Sequence, residues 1–203
     1  MFLPLLLVVA ASLVFFHRLT ERIEPMVETI AASKAVNLIS LAINDAVDES
    51  LIGEQLGYQD FVETKTGEMG QITSLAFKTT EGARFKRLVT DRMIFSIGEI
   101  NTNDLEIPLG NLSGVMLLSA LGPNIRVKVQ SVGDVTTEYR NEFTAAGVNQ
   151  TRHSIYLDVS ATIYLLIPGK VLPVTVEESV CLAETVIVGD VPDTYLNLQN
   201  GVN

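Results

Sequence analysis

A strict alternation of apolar and polar residues near the carboxyl end places the strongest constraint on the fold of this chain. Every second residue between positions 155 and 167 is apolar: Ile155, Leu157, Val159, Ala161, Ile163, Leu165 and Ile167. The opposite face carries Ser154, Tyr156, Asp158, Ser160, Thr162 and Tyr164. A period of two indicates a β-strand with one face in the core and the other in water. A sheet with one dry face must be covered by another layer.

The same period continues on both sides of this strand. Ile125, Val127 and Val129 alternate with polar residues, and a second apolar alternation follows Pro168-Gly169-Lys170. Turn residues at 147–150 and at 168–170 separate the runs, so the pattern predicts an antiparallel β-meander. The chain has a single cysteine, Cys181, and therefore forms no intrachain disulfide. Its apolar neighbours favour a small, buried side chain.

Two helices are predicted to cover the sheet. Residues 26–51 contain no glycine or proline, and Pro25 suits the first turn of a helix. Apolar residues recur there at helical spacing, which predicts an amphipathic helix of roughly 40 Å. A second helix is expected from Glu81 to Ile100, with Phe85, Leu88, Val89 and Phe95 buried and a basic wet face. Between the helices, Phe61–Thr64 and Ile72–Phe77 resemble a short hairpin.

These elements predict an α+β fold. An N-terminal membrane-anchor helix leads into a long amphipathic helix, a second helix, and a mainly antiparallel β-meander packed on the helices. The expected segments are a transmembrane anchor at residues 1–17, the long amphipathic or stalk helix at 18–52, and an α+β domain at 53–196 that is continuous with this helix. A flexible tail is expected at 197–203.

The anchor is predicted from the uncharged run Phe2–Phe16. Fifteen helical residues span roughly 23 Å, somewhat less than the hydrocarbon core of a bilayer. A cleaved signal peptide fits less well, because no basic residue precedes the run and Phe15-Phe16-His17-Arg18 follows it. A buried core helix is a further alternative. We favour an uncleaved single-pass anchor that holds the chain in the cell membrane through residues 2–16.

The orientation follows from the charges next to this run. His17, Arg18 and Arg22 all lie after it, and read literally they would hold the body of the protein in the cytosol. A basic leader upstream of Met1 would reverse that orientation. We expect the translation start to lie upstream and the body to be extracytoplasmic.

Composition and motifs disfavour several classes of function. The net charge of −10 lies entirely after residue 16, and an acidic body repels nucleic acid. His17 and His153 are far apart, and the sequence has no Cys/His metal pattern, GxSxG, HExxH or P-loop. Asp45, Asp48 and Glu49 fall on one helix face and are typical of solvation. We therefore predict no catalytic, cofactor-binding or metal-binding residues and no enzymatic activity, and we assign no ligand-binding residue.

The stretch Ile107–Pro123 combines three glycines and two prolines with many apolar residues. Leu105–Leu109 is expected to form an edge strand, and Val115–Leu121 one or two helical turns. Because the stretch contains no basic side chain, a phosphate-binding loop has little support. We interpret it as a buried corner of the fold.

With these residues in place, the chain resembles the YunB family of sporulation proteins from endospore-forming Firmicutes over roughly residues 20–196. The resemblance depends on Ile107-Pro108-Leu109-Gly110, Ser113-Gly114, Leu121-Gly122-Pro123, the Val127 strand, Gly133-Asp134, Gly147-Val148-Asn149, the strand ending at Ile167-Pro168, and Gly189-Asp190-Val191-Pro192 near Tyr195. It implies a role in spore formation in a mother-cell or forespore membrane, and it implies no catalytic residues. Family members carry a basic leader before the anchor, and this chain departs from them there.

The leading hypothesis is a membrane-anchored, non-enzymatic sporulation protein that contacts other envelope or sporulation proteins and no nucleic acid. The alternative is a lipid- or hydrophobe-binding module with a groove between helix 26–51 and strand 154–167. A third alternative is an envelope hydrolase, which would require converging carboxylates.

Overall fold

The structure is a computed structural model that describes residues 2–68, 70–100, 105–112 and 116–189. Its helices are α1 (Phe2–Glu54), α2 (Tyr58–Phe61) and α3 (Thr79–Gly98). Its strands are β1 (Val62–Thr66), β2 (Ile72–Phe77), β3 (Ile107–Pro108), β4 (Asn124–Ile125), β5 (Lys128–Gly147), β6 (Gln150–Ile167) and β7 (Lys170–Val188). Short 3₁₀ helices lie at Leu109–Leu112 and Met116–Leu118. The predicted α+β class is confirmed, and the predicted tail at 197–203 lies outside the described residues.

One continuous helix, α1, contains both the predicted anchor and the predicted long helix. It passes through Pro25, so the expectation that Pro25 lies in the first turn of a helix is wrong. A proline removes one backbone donor, and the long helical flanks on both sides tolerate that loss. The helix also passes Gly53 and ends where Gln55 takes a left-handed conformation with φ 54°. The N–H of Leu56 then donates to the carbonyl of Leu51 at 3.0 Å, which closes the last turn.

The three long strands form one sheet in the order β5-β6-β7. Two-residue turns join them, with Asn149 (φ 57°) in the first and Gly169 (φ 94°) in the second. The predicted meander and its dry face on β6 are both confirmed, since all seven apolar residues from Ile155 to Ile167 are buried. The expectation that Cys181 is a core residue is wrong. Because side chains alternate along β7, Cys181 and the buried Leu182 point to different faces of the sheet, and the side chain of Cys181 is exposed.

The chain divides into two compact units, and α1 and the three long strands contribute residues to both. The first unit comprises residues 1–39, 97–134 and 162–176, and the second comprises 40–96, 135–161 and 177–203. The buried apolar residues of the first unit are Val27, Ala31, Ala35, Ile39, Ile97, Leu105, Ile107, Leu112, Val127, Ile163, Leu165, Ile167, Val174 and Val176. Those of the second are Ala42, Ile43, Ala46, Val47, Phe61, Val62, Phe85, Val89, Met93, Ile155, Leu157, Val159, Ala161 and Leu182.

In the second unit, α3 packs with a different face from the one predicted. Phe85 and Val89 are buried as expected, but Phe95 is 70% exposed and Met93 is buried instead. Positions 85, 89 and 93 follow one another at four-residue spacing, and position 95 falls off that stripe. The short hairpin before α3 is confirmed: β1 and β2 pair antiparallel, with Val62 opposite Phe77.

In the first unit, the stretch Ile107–Pro123 is only partly the buried corner that the sequence indicates. Ile107 and Leu112 are buried, and β3 pairs antiparallel with β4 through Ile107 and Ile125. Met116 and Leu121, however, are exposed. The apolar content of the stretch predicted burial for all four of these residues. The path of the backbone decides which side chains are buried and which are exposed.

Candidate functional site

The amino-terminal part of α1 is apolar on every side and remains exposed. The exposed side chains are Leu6, Leu7, Val8, Val9, Leu13, Val14 and Phe15. Within the described residues, α1 is the one helix whose length and composition would allow it to cross a membrane. A helix that is apolar all round requires an apolar environment, which is either a protein core or a bilayer.

A polar collar follows this apolar surface. His17 lies 3.3 Å from Glu21, one turn further along the helix. Phe15, Arg18, Glu21 and Arg22 line an open recess on the helix surface. Basic and amphipathic side chains at this position are typical of a helix that leaves the hydrocarbon and enters the headgroup region.

A cavity of about 330 Å³ lies in the first unit, close to the end of the apolar run. Its lining residues are Thr20, Ile23, Glu24, Val27, Ile125, Ile167, Pro168 and Gly169. The ammonium group of Lys170 lies beside it and pairs with Glu24 and Glu28, and the hydrogen bond that it donates to Glu28 contributes most to raising the pKa of Lys170. The cavity thus has apolar walls and an ion-paired rim, which is the usual design of a small-molecule pocket.

This cavity only partly matches the groove considered for a lipid-binding module. Of the predicted boundaries, Val27 and Ile167 line it, whereas its other walls lie outside helix 26–51 and strand 154–167. Deeper in that predicted groove, Ile39, Ile43 and Leu157 are fully buried core residues. The apolar space is therefore concentrated at the end of α1 that continues into the apolar run.

The wet face of the sheet in the second unit carries a polar network centred on Arg140. Its guanidinium donates to both carboxylate oxygens of Asp158, at 2.8 and 3.2 Å, and to Glu142 at 3.0 Å. It also donates to the Ser179 hydroxyl at 2.8 Å and lies 4.4 Å above the ring of Tyr156. Ser179 in turn donates to Asp158 at 2.6 Å. Asp158 is therefore held ionised, and the hydrogen bond from Arg140 is the main cause of its lowered pKa.

Next to this network, a recess of about 370 Å³ gathers several carboxylates. It is lined by Glu138, Asp158, Glu177 and Glu178 together with Thr136, Val159, Ser160 and Ser179. Converging carboxylates are the feature that the hydrolase alternative requires. In the described part of the chain, no group of three or more His, Cys, Asp or Glu residues is arranged to hold a metal ion.

His153 is the centre of a third cluster, near the β5–β6 turn. Its ring stacks on Phe143 with centroids 4.3 Å apart and meets Tyr58 edge-on at 5.6 Å. Nε2 faces the side-chain oxygen Oδ1 of Asn141 at 3.2 Å, which suits a proton on Nε2, and Nδ1 then accepts from the Tyr58 hydroxyl at 2.6 Å. Burial lowers the pKa of His153, which therefore remains neutral at ordinary pH. The arrangement is that of a satisfied core histidine.

Other residues considered from the sequence have ordinary structural surroundings. Asp45, Asp48 and Glu49 are exposed on α1, as expected for solvation. Three basic residues of α3 have polar partners: Arg84 pairs with Glu54 of α1, Arg92 donates to the Ser50 hydroxyl of α1, and Arg87 pairs with Asp91 of α3 itself. Sequence reasoning missed the Arg140 network and the Lys170 pairs, because the partners are brought together by sheet register and by turns that spacing alone does not give.

Comparison with known proteins finds similarity to one family. A family model described as Sporulation protein YunB matches residues 104–194, which include the Ile107–Pro123 stretch and the three-stranded sheet. The Sporulation protein YunB of Bacillus subtilis (strain 168) is 25% identical over 211 residues, covering 95% of this chain and 83% of the relative. No solved structure matches the chain significantly. Over these residues the chain is similar to the YunB family of sporulation proteins.

Proposed function

We propose that this chain is a membrane-anchored, non-enzymatic protein required for sporulation, which acts through protein contacts in the spore envelope. The observation that carries the anchoring is the exposed apolar surface of α1 from Leu6 to Phe15, followed by the collar of Arg18 and Arg22. In water, a continuous exposed apolar surface of this kind marks a contact with a protein or a membrane. A single-pass anchor places it in hydrocarbon instead, with the body extracytoplasmic or in the forespore intermembrane space.

The single cysteine gives a direct test of anchoring and orientation. Cys181 is exposed, although partial burial raises the pKa of its thiol, so labelling is best done at mildly alkaline pH. Protoplasts that express the full chain are treated with a membrane-impermeant maleimide before and after lysis. We expect the chain in the membrane fraction and Cys181 labelled in intact protoplasts. Labelling only after lysis would place the body in the cytosol, and recovery in the soluble fraction would overturn the anchor.

A Cys181→Ser chain with Ala35→Cys is the matched control. Ala35 is 1% exposed, so a cysteine there should remain unlabelled both before and after lysis while the protein is folded. Labelling at position 35 would show that the chain had unfolded and that labelling at Cys181 carried no topological information.

The surroundings of Asp158 support a non-enzymatic role. Asp158 is fully engaged by Arg140 and Ser179, and its lowered pKa makes it a poor general base. Shortening a catalytic carboxylate side chain by one methylene lowers activity, because the reacting atoms are then misplaced. Binding at a charged contact surface depends mainly on the sign of the charge.

We therefore expect Glu138→Asp and Glu177→Asp to retain the yield of heat-resistant spores, and the charge reversals Glu138→Lys and Glu177→Lys to reduce it. Loss of spore yield in the aspartate variants, with normal chain levels, would favour the hydrolase alternative. Unchanged spore yield after deletion of the gene would overturn the sporulation role.

A lipid-binding module is the second candidate, and the cavity of about 330 Å³ favours it. We expect native mass spectrometry of the purified full chain to show a bound lipid, and Ile23→Trp, which fills the cavity, to remove it. Ile94→Trp, on an exposed face of α3, is the control. Absence of lipid from the unmodified chain would count against this candidate.

A further inference from the structure

The loop that follows β3 presents large apolar side chains to solvent. In its described residues, Met116 is 95% exposed and Leu117 is 86% exposed, and Leu121 and Leu118 are also exposed. No charged residue occurs from Ile107 to Ile125, although the chain as a whole carries a net charge of −10. A solvated loop normally carries polar side chains.

The backbone of this loop is closely fitted. A Cβ on Gly110 would lie 1.8 Å from the carbonyl oxygen of Leu118, so only glycine fits there. The side-chain oxygen of Asn111 accepts from the backbone N–H of Ala120 at 2.8 Å and from the Ser119 hydroxyl at 3.1 Å. The N–H of Gly110 donates to Leu121 O at 2.8 Å. These contacts hold the described part of the loop in one conformation, with the apolar side chains directed outwards.

Contacts inside the first unit give the direction in which this loop extends. At the open end of the β3–β4 hairpin, the Lys34 ammonium donates to the carbonyl of Glu106 at 2.8 Å. One residue pair further, Ile125, opposite Ile107, lines the cavity with Thr20 and Val27. The hairpin therefore advances from the level of Lys34 towards the amino-terminal end of α1.

The same contacts give the position of the loop along the axis of α1. Thr20 and Val27 lie four and eleven residues after Phe16, or about 6 and 16 Å along the helix axis. Beyond the pair Ile107–Ile125 the hairpin continues through Pro108 opposite Asn124 and through the hydrogen bonds from Leu109 N–H to Pro123 O and from Gly110 N–H to Leu121 O. At about 3.3 Å per residue, these pairs carry the hairpin towards the level at which the apolar run of α1 ends, on the side of the headgroup layer of a bilayer that holds residues 2–16.

We propose that the loop Met116–Leu121 is a second membrane contact, which inserts Met116, Leu117 and Leu121 into the phospholipid interface of the bilayer that anchors α1. The proposal depends on the proposed anchoring. A lipid interface accepts exposed apolar side chains and an uncharged backbone that has its own internal hydrogen bonds. One helix alone leaves the body free to tilt, and a second contact would fix its tilt and rotation.

The test uses the full chain in a Cys181→Ser background, reconstituted into phosphatidylcholine–phosphatidylglycerol vesicles. An environment-sensitive fluorophore is attached at Leu117→Cys, and spin-labelled lipids are used as quenchers. Arg126→Cys is the control, because it is an exposed position at the open end of the same hairpin. Val9→Cys reports on the anchor itself.

We expect a blue-shifted probe at position 117 that loses most of its fluorescence to the spin-labelled lipids, with a solvent-like, unquenched probe at 126. An unquenched probe at 117 overturns the proposal. If that probe is blue-shifted but unquenched, a protein, such as a second copy of the chain, covers the loop instead. Quenching at position 9 decides the anchor separately, so a failed loop and a failed anchor give different results.

A second variant tests whether the apolar tip is responsible. With the probe at Leu121→Cys, Met116→Glu and Leu117→Glu together should abolish the quenching, because carboxylates resist transfer into the interface. Both side chains are exposed, so the fold should be retained, which circular dichroism can verify. Quenching that persists in this variant would overturn the proposal.

Discussion

The hydroxyl group of Tyr139 offers a sharp test of how the second unit is held together. It donates to the carbonyl oxygen of Gly82 in α3 at 2.8 Å, and so ties β5 to the start of that helix. The ring packs at 4.8 Å from Phe77 and 6.4 Å from Phe61. Tyr139→Phe removes only the hydroxyl and leaves these ring contacts in place.

The expected loss in the free energy of unfolding depends on whether the Gly82 carbonyl keeps a hydrogen-bond partner. Gly82 lies in the first turn of α3, where its carbonyl can also accept from an N–H four residues later. The acceptor is therefore not left without a partner, and the loss is the net value of one hydrogen bond, about 1 kcal/mol. Removing the whole ring in Tyr139→Ala should cost about 3 to 5 kcal/mol, because it leaves a cavity among the aromatic rings.

The assay is denaturant unfolding of the full chain in detergent, followed by circular dichroism because the chain has no tryptophan. Burial raises the pKa of Tyr139 above its ordinary value near 10. Above pH 10 the unfolded chain releases a proton that the folded chain retains, so stability falls as pH rises. The advantage of the natural chain over Tyr139→Phe should therefore be constant below pH 10 and shrink above it.

Tyr164→Phe is the matched control, since Tyr164 is partly exposed on β6, and we expect a change within about 0.5 kcal/mol. Equal stability losses in the two variants would refute the reasoning. A Tyr139→Phe difference that does not shrink above pH 10 would show that the hydroxyl is not protected from ionisation.

Four further predictions can be checked by unfolding measurements on the same full chain. Burial lowers the pKa of His153, so the folded state loses stability as pH falls from about 6.5, and His153→Asn should weaken this dependence. Gln55→Gly should raise stability by about 1 kcal/mol in thermal unfolding, because Gln55 has φ 54° at the end of α1. Gly110→Ala should cost at least about 1 to 3 kcal/mol, since its Cβ would overlap the Leu118 carbonyl, and unchanged stability would contradict the described loop. Ile163→Ala should cost about 2 to 5 kcal/mol, as expected for a fully buried strand residue, and a loss below that range would contradict its place in the core.

The fold could be predicted where apolar residues recurred at one spacing over many positions. The alternation from Ile155 to Ile167 determined both the strand and its buried face, because a shift by one residue would expose every apolar side chain. The helical stripe of α1 was similarly informative, with Ala31, Ile39 and Ala46 buried. The errors occurred where the signal was a single residue: Pro25 did not begin the helix, and Phe95 and Cys181 were not buried.

The polar clusters could not be predicted in this way, because their members come from separate strands. Arg140, Asp158 and Ser179 belong to β5, β6 and β7, and their contact depends on the register of two hairpins. Register is set by the turns and by the buried face together, so spacing along one strand does not reveal it. The sequence indicated the wet face of the sheet and left the pairing on that face to the fold.

The apolar loop shows why hydrophobicity without a period is ambiguous. Ile107 and Met116 lie in the same uncharged stretch, yet the first is fully buried and the second is almost fully exposed. A core residue and a membrane-contacting residue have the same preference for an apolar environment, so composition does not distinguish them. What distinguishes them is the backbone: Ile107 lies on β3 with its side chain in the core, whereas Met116 lies in the returning part of the loop, which packs its backbone against Gly110 and leaves its side chains exposed. In a chain that carries an exposed apolar helix in the same unit, those outward residues are better explained by a second contact with lipid than by a defect of packing.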